Sequence, residues 1–299
     1  MATKIIEINA DNFILKEITE GKLSYAPLDS SDTLNVERSA SIELTSSGTI
    51  SFNAELSCFN FDLLTQHLKE DPGYLLHGDC ISMLDIFAED SVDLIVTDPP
   101  YRTITGGDKD GKNSKRPQGM LHGNRKLFAH QNNISPQDWM PKLYRVLKPR
   151  SHCYIFTNAL NMHAMLTASH NAGFSLHNIL VWEKNNCTPS QYYMKNCEYV
   201  LFLRKGKAKW INNIGDSKTV HKFDNILGSK LHPTEKPVDL LQYYILNSSS
   251  PGDLILDPFM GSGSTGKAAL KCGRKFVGIE IDNNYFQVAE KRIKQIKEE

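Results

Sequence analysis

The chain has 299 residues, 40% hydrophobic and 23% charged, with a formal net charge of zero, which suits a soluble enzyme with one α/β core domain and an appendage. No apolar run approaches the roughly 18 residues of a membrane helix, and Met1-Ala2-Thr3-Lys4 leads into no long apolar stretch of the signal-peptide kind. The six cysteines (Cys58, Cys80, Cys153, Cys187, Cys197 and Cys272) form no C-x-x-C pair and the histidines show no metal spacing, so free thiols, a cytoplasmic location and no metal are expected.

Residues 1–73 hold alternating β-like segments at 40–44 and 49–52 and a helix expected over 61–68. With 12 acidic and 5 basic side chains they read as an accessory element of unknown role. Packing on the core and a dimer contact both stay open. From 74 onward a strand at 74–77 leads through a short helix near 81–87 to a strand at 92–97. The next four residues, Asp98-Pro99-Pro100-Tyr101, carry the most information in the chain. Two successive prolines have no backbone N–H and fix their own φ, so the corner offers carbonyls and a carboxylate without competing donors. Tyr101 adds a flat face, and an exocyclic amine on a nucleobase fits both features. A plain Pro-Pro turn ending a strand is the competing reading of these four residues.

Downstream, Ser135-Pro136 start a helix as N-cap and first-turn proline, with Met140, Leu143, Tyr144 and Leu147 on its buried face and Lys148-Pro149 ending it. A strand at 152–157, a helix near 159–171 and strands at 174–183 and 196–204 follow. The polar run 184–191 between the last two reads as a loop that could face a base. Pro237 opens a helix carrying Leu240, Leu241, Tyr244 and Ile245. An apolar strand then enters Asp257-Pro258-Phe259-Met260-Gly261-Ser262-Gly263-Ser264-Thr265-Gly266, a glycine-rich turn whose helix opens at Ser264 and favours an anionic group. A strand at 275–279 ends in Glu280, placed to accept hydrogen bonds from ribose hydroxyls.

Taken alone, that fingerprint also suits a nicotinamide dinucleotide. Chain order separates the two readings. After Glu280 comes one helix, with Phe286, Ala289, Ile293 and Ile296 on one face, so the cofactor-binding sheet must be completed by strands from upstream. The expected architecture is therefore α/β and Rossmann-like in circularly permuted order, with a mostly parallel sheet and an antiparallel pair at one edge.

With this order the sequence resembles the β-class amino-methyltransferases of DNA, which use S-adenosylmethionine and carry the DPPY corner before the glycine loop. The resemblance covers about residues 74–297. It includes His77-Gly78-Asp79-Cys80, Arg145-Val146-Leu147-Lys148-Pro149 with Ser151-His152-Cys153-Tyr154-Ile155-Phe156-Thr157, and Leu231-His232-Pro233-Thr234-Glu235-Lys236-Pro237. It implies a catalytic corner of Asp98, Pro99, Pro100 and Tyr101. Asp79 would contact the cofactor adenine, and Thr234 and Lys236 would lie near its methionine end, Lys236 pairing with the carboxylate. Asp257, Phe259, Gly261, Ser262, Gly263, Ser264, Thr265 and Glu280 would complete the cofactor site. Arg102 departs from the family pattern, where Asn or Gly more often follows the tyrosine.

The neutral total hides a segregation of charge. Residues 102–126 hold 7 basic and 2 acidic side chains, and residues 184–230 hold 9 and 3. Insertions at about 102–134 and 184–230 in a catalytic domain spanning 74–299 are thus expected to meet the phosphate backbone. Arg102, Lys109, Lys112, Lys115, Arg116, Arg125, Lys126, Lys184 and Lys195 are the candidate contacts. The resemblance implies transfer of a methyl group to adenine N6 of a base flipped out of duplex DNA, with a restriction endonuclease and a homodimer as admissible partners. Cytosine N4 methylation, a catalytically silent DNA-binding module and a nicotinamide oxidoreductase are the rival readings.

Overall fold

The computed structural model describes residues 61–100, 134–188, 192–226 and 235–298, together with five strand segments between residues 13 and 53. The chain divides into two compact units, Met1–Asn60 and Phe61–Glu299. In the first, β1 (Phe13–Thr19), β2 (Lys22–Pro27) and β3 (Leu34–Val36) form an antiparallel sheet in that order, and β4 (Ser41–Leu44) pairs with β5 (Ile50–Asn53) as a separate hairpin.

The division falls at Asn60, ahead of helix α1 (Phe61–Glu70). This helix belongs to the larger unit because it packs on β6 (Gly73–His77): Leu64 and Leu68 are buried, and the His67 ring meets Tyr74 at 4.7 Å. Its acidic surroundings in sequence concealed that apolar face.

The larger unit is built on one sheet with the order β11-β9-β10-β8-β7-β12-β13-β6. Its strands are β7 (Val92–Thr97), β8 (Leu147–Thr157), β9 (Ser175–Thr188), β10 (Lys195–Arg204), β11 (Val220–Lys222), β12 (Leu254–Asp257) and β13 (Lys275–Glu280), with β6 at the far edge. Only β10 runs against its neighbours; it lies between β8 and β9, and short β11 closes the edge parallel to β9. The expected antiparallel pair is thus present, with an added edge strand of three residues that no sequence pattern announced.

Helices cover both faces, which is what a continuous apolar strand requires. In β7, Leu94, Ile95 and Val96 are all fully buried, although successive side chains point to opposite faces. Leu94 and Val96 join the layer formed with α5 (Val238–Ser248), α6 (Ser264–Lys271) and α7 (Asn283–Glu298), where Leu240, Tyr244, Ala268 and Ala289 are buried. Helices α2 (Cys80–Leu84), α3 (Pro136–Val146) and α4 (Met162–Asn171) form the other packed group. Among the described residues no helix is long and apolar enough to cross a membrane.

Two boundaries differ from the sequence expectations. Helix α3 begins at the N-cap Ser135 with a capping box to Asp138, as its residues imply, but it passes at Leu147 straight into β8, so Lys148 and Pro149 lie in a strand. The run 184–188, expected as part of a loop, is the end of β9. Its polar side chains have local partners: Lys184 binds Glu198, and Asn185 and Asn186 each accept a hydrogen bond from Asn225 at 3.0 Å. The register slips between Lys195 and Cys197, so no alternating pattern marks this stretch.

Candidate active site

Four neighbouring parallel strands, β7, β12, β13 and β6, bring their C-terminal ends to one edge of the sheet. Asp98 leaves β7, Asp257 ends β12, Glu280 ends β13 and Asp79 follows β6. Residues 98, 257, 280 and 79, distant in sequence, are therefore brought together in the crevice where open α/β sheets bind ligands.

The corner itself is held by charge. Lys236, 6% exposed, places its ammonium against the Asp98 carboxylate and 3.4 Å from Glu198 Oε2, and lies 5.1 Å over the Phe156 ring. Lys184 pairs with the same Glu198 and lies 4.8 Å over Trp182. Two ammonium groups and two carboxylates thus alternate from β9 through β10 to the end of β7. Burial alone would lower the Lys236 pKa, but attraction from Asp98 and Glu198 outweighs it and raises the group above its ordinary value. For Glu198 burial pushes upward, and Lys236 and Lys184 outweigh it, leaving the carboxyl below its ordinary value. The sequence expectation places Lys236 near the cofactor carboxylate and Lys184 at DNA; within the protein both charges take part in this array. Glu198 carried no motif and was missed.

On the cofactor side, Thr97 Oγ1 donates to Asp257 Oδ1 at 2.7 Å, and the Phe259 N–H donates to the same oxygen at 3.1 Å. Gly261 and Gly263 adopt φ of 52° and 78°, which lets the turn fold back so that the Gly261 N–H reaches Glu280 Oε2 at 2.9 Å. A Cβ on Gly266 would come within 2.6 Å of Phe276, so the helix can approach the sheet only with glycine there. Phe259 packs edge-on against Trp139 at 5.3 Å. Asp79 caps α2 through the Ser82 N–H at 3.1 Å.

The donor set fits a nucleoside. Glu280 accepts backbone N–H groups from Gly261 at 2.9 Å and Asp282 at 2.8 Å, one on each oxygen, with the Ile281 N–H also stabilising the carboxylate, and two carboxylate oxygens suit a vicinal pair of hydroxyls. Burial pushes its pKa up, so additional donors would stabilise the ionised form. Ile281, directly after it, is 58% exposed and provides an apolar surface beside that carboxylate; no sequence motif flagged it.

Burial is also the main reason that the Asp257 pKa rises to about 6, with the Asp98 charge adding to it and hydrogen bonds from Thr265, Thr97 and the Phe259 N–H opposing it. A folded-state pKa above the unfolded one means that the native protein binds the proton more readily, so this group's contribution to stability falls as pH rises from about 4 to 6. Asp257→Asn removes the titration and keeps an acceptor. Urea unfolding is expected to show wild type losing up to about 3 kcal/mol relative to Asp257→Asn across that interval. A flat difference would contradict the assignment.

A second ionic lock joins the last helix to the turn. Arg292 on α7 donates to Ser264 Oγ at 2.8 Å and to Ser262 Oγ at 3.4 Å, and its other nitrogen binds Glu235. Glu235 lies beside Lys236, so one guanidinium ties the glycine turn to the segment that positions the corner. Arg292 was invisible to motif reading because it lies among the charged residues of an amphipathic helix whose pattern is explained by the buried Phe286, Ala289 and Ile293. Arg292→Ala deprives a buried carboxylate of its counter-ion, and we expect a loss of about 3 kcal/mol and roughly 10 °C in Tm, measured by thermal unfolding. Lysine should restore only part, because one ammonium cannot span the two ends.

Tyr101, Arg102, Lys109, Lys112, Lys115, Arg116, Arg125, Lys126 and Thr234 lie outside the described residues. Lys195 opens β10 and is exposed. Pro99 is buried and Pro100 half-buried beside Asp98.

A permuted α/β sheet with a glycine turn, a ribose-type carboxylate and an acceptor corner at one edge defines the class: methyltransferases that use S-adenosylmethionine. A family model described as DNA methylase matches residues 92–291. The chain belongs to this DNA methylase family. The type II methyltransferase M.HinfI of Haemophilus influenzae is 29% identical over 259 residues, covering 79% of this chain and 72% of the relative. The type II methyltransferase M2.DpnII of Streptococcus pneumoniae is 30% identical, covering 73% and 88%. Among solved structures, the M1.HpyAVI complex with S-adenosylmethionine is similar with a TM-score of 0.56 and 28% identity, covering 74% of this chain and 99% of that one.

Proposed function

We propose that this DNA methyltransferase modifies the N6 amine of an adenine flipped out of duplex DNA, as one half of a type II restriction-modification pair. The observation that carries the reading is the Asp98 carboxylate, held at the end of β7 beside two prolines and balanced by Lys236. A carboxylate can take one amine N–H and the Pro99 carbonyl the other. Accepting both draws the nitrogen toward tetrahedral geometry and frees the lone pair that the purine ring otherwise delocalises. Tyr101, adjoining the corner in sequence, would stack on the base.

S-adenosylmethionine supplies an electrophilic methyl group on a sulfonium. Glu280 and Asp79 would hold its nucleoside, and the turn from Asp257 to Thr265 its remainder. Fixing nucleophile and electrophile in line accounts for much of the acceleration. A paired base cannot reach such a corner, so it must leave the stack, at a cost that stacking and phosphate contacts offset. An aspartate at the corner favours adenine, whereas serine is commoner among related cytosine enzymes.

Expression in a methylation-free host, followed by mapping of modified bases across the genome, tests the reading. N6-methyladenine at one short sequence is the expected result. N4-methylcytosine in its place would overturn the choice of base, and no modified base would overturn the proposal.

A further inference from the structure

Strands β9 and β10 project beyond the catalytic edge of the sheet. Thr97 pairs with Ile155, Thr157 pairs with Tyr199, and β10 begins four residues earlier at Lys195. At about 3.3 Å per residue the hairpin therefore overhangs the end of β8 by about 13 Å, two strand spacings, about 10 Å, to the side of β7. Just before Lys195 stand Tyr192, Tyr193 and Met194, which are 85%, 94% and 62% exposed. An exposed cluster of large apolar and aromatic side chains of this kind marks an interaction surface.

The base of the same hairpin is fixed to the chemistry. Glu198, on β10, binds Lys236, which binds Asp98, so the overhang and the corner keep a set separation. We propose that this tip enters the base stack of the substrate duplex and holds open the gap left by the flipped base. The proposal rests on the reading that a base is flipped. Duplex DNA suits the tip because a vacated stack presents two flat faces to an aromatic ring, and the exposed Lys195 beside it meets phosphate. Residues 184–230 carry six more basic than acidic side chains, which favours the same partner. Side chains that widen a base step by insertion are apolar or aromatic, as these are.

The test compares the full chain with the double variant Tyr192→Ala/Tyr193→Ala on two synthetic duplexes carrying the mapped site. In one the target adenine faces thymine; in the other it faces an abasic position, so that no pair has to be broken. Transfer of a tritiated methyl group is measured as kcat/KM. Stacking losses of this kind are expected to lower the value roughly 10- to 100-fold on the paired duplex and by less than about 3-fold on the abasic one. The variant Tyr192→Phe/Tyr193→Phe should retain wild-type behaviour on both.

Equal losses on the two duplexes, or no loss on either, would overturn the role of the tip while leaving adenine methylation intact. A wild-type protein that methylates adenine in neither duplex would instead overturn the functional reading on which it rests.

Discussion

Replacing Asp98 with alanine is expected to lower single-turnover methyl transfer by about 10³-fold or more, with S-adenosylmethionine affinity changed by no more than a few-fold. One preorganised hydrogen-bonding group in a site of this kind is worth on the order of 10²–10³ in rate. Asp98 has a further effect, because its removal leaves the Lys236 ammonium facing the place where the amine would bind. The neighbouring prolines cannot compensate, since neither can reorganise to offer a second acceptor side chain. Asp98→Asn keeps the shape and one acceptor oxygen but replaces the other with an N–H donor and weakens the pairing with Lys236, so it should be impaired less than Asp98→Ala. Cofactor affinity should survive because Glu280 and the glycine turn are bonded to each other, independently of Asp98. Calorimetric titration with S-adenosylmethionine and a rapid-quench assay separate the two effects. An Asp98→Ala variant with a tenth of the wild-type rate would remove Asp98 from the chemistry.

The strand-turn-helix of the glycine loop was legible because its glycines answer a local need, and the permuted order was legible because chain order limits which strands can complete the sheet. The antiparallel β9–β10 pair could be read from its apolar stretches, but its true length could not. Lys184, Asn185 and Asn186 look like loop residues until their partners on β10 and near Asn225 are known. Likewise α1 belongs with the core through Leu64 and Leu68, whereas composition grouped it with the acidic N-terminal part.

Within the site, motif spacing reached Asp98, Asp257 and Glu280, and the family resemblance added Asp79; each stands at or just past the C-terminal end of a strand. Those it missed act through partners far away in sequence. Glu198 and Arg292 lie on elements whose patterns are fully explained by strand pairing and by an amphipathic helix, so nothing local distinguished them. Lys236 was found as a basic side chain before a cofactor loop, which suggests an anionic ligand, but its two protein partners, carboxylates 138 and 38 residues away in sequence, could not be read from spacing.

Lys236→Met should therefore impair the enzyme in a way that depends on pH. It removes the ammonium from between Asp98 and Glu198 and leaves buried carboxylates with less counter-charge, which costs about 3–5 kcal/mol if both stay ionised. The less costly response is for one carboxyl to take up a proton. A protonated Asp98 is a poorer acceptor for an amine N–H, so the rate at neutral pH falls, and it recovers as rising pH removes that proton. The acid limb of the single-turnover pH profile is expected to move upward by at least about one unit. Adding Glu198→Gln removes the neighbouring negative charge, so the double variant should regain stability and move the limb back toward its wild-type position. If Lys236 served only to anchor the chain, Lys236→Met would lower stability and amplitude without moving the limb. The position of that limb in the single and double variants decides whether the lysine tunes the catalytic carboxylate.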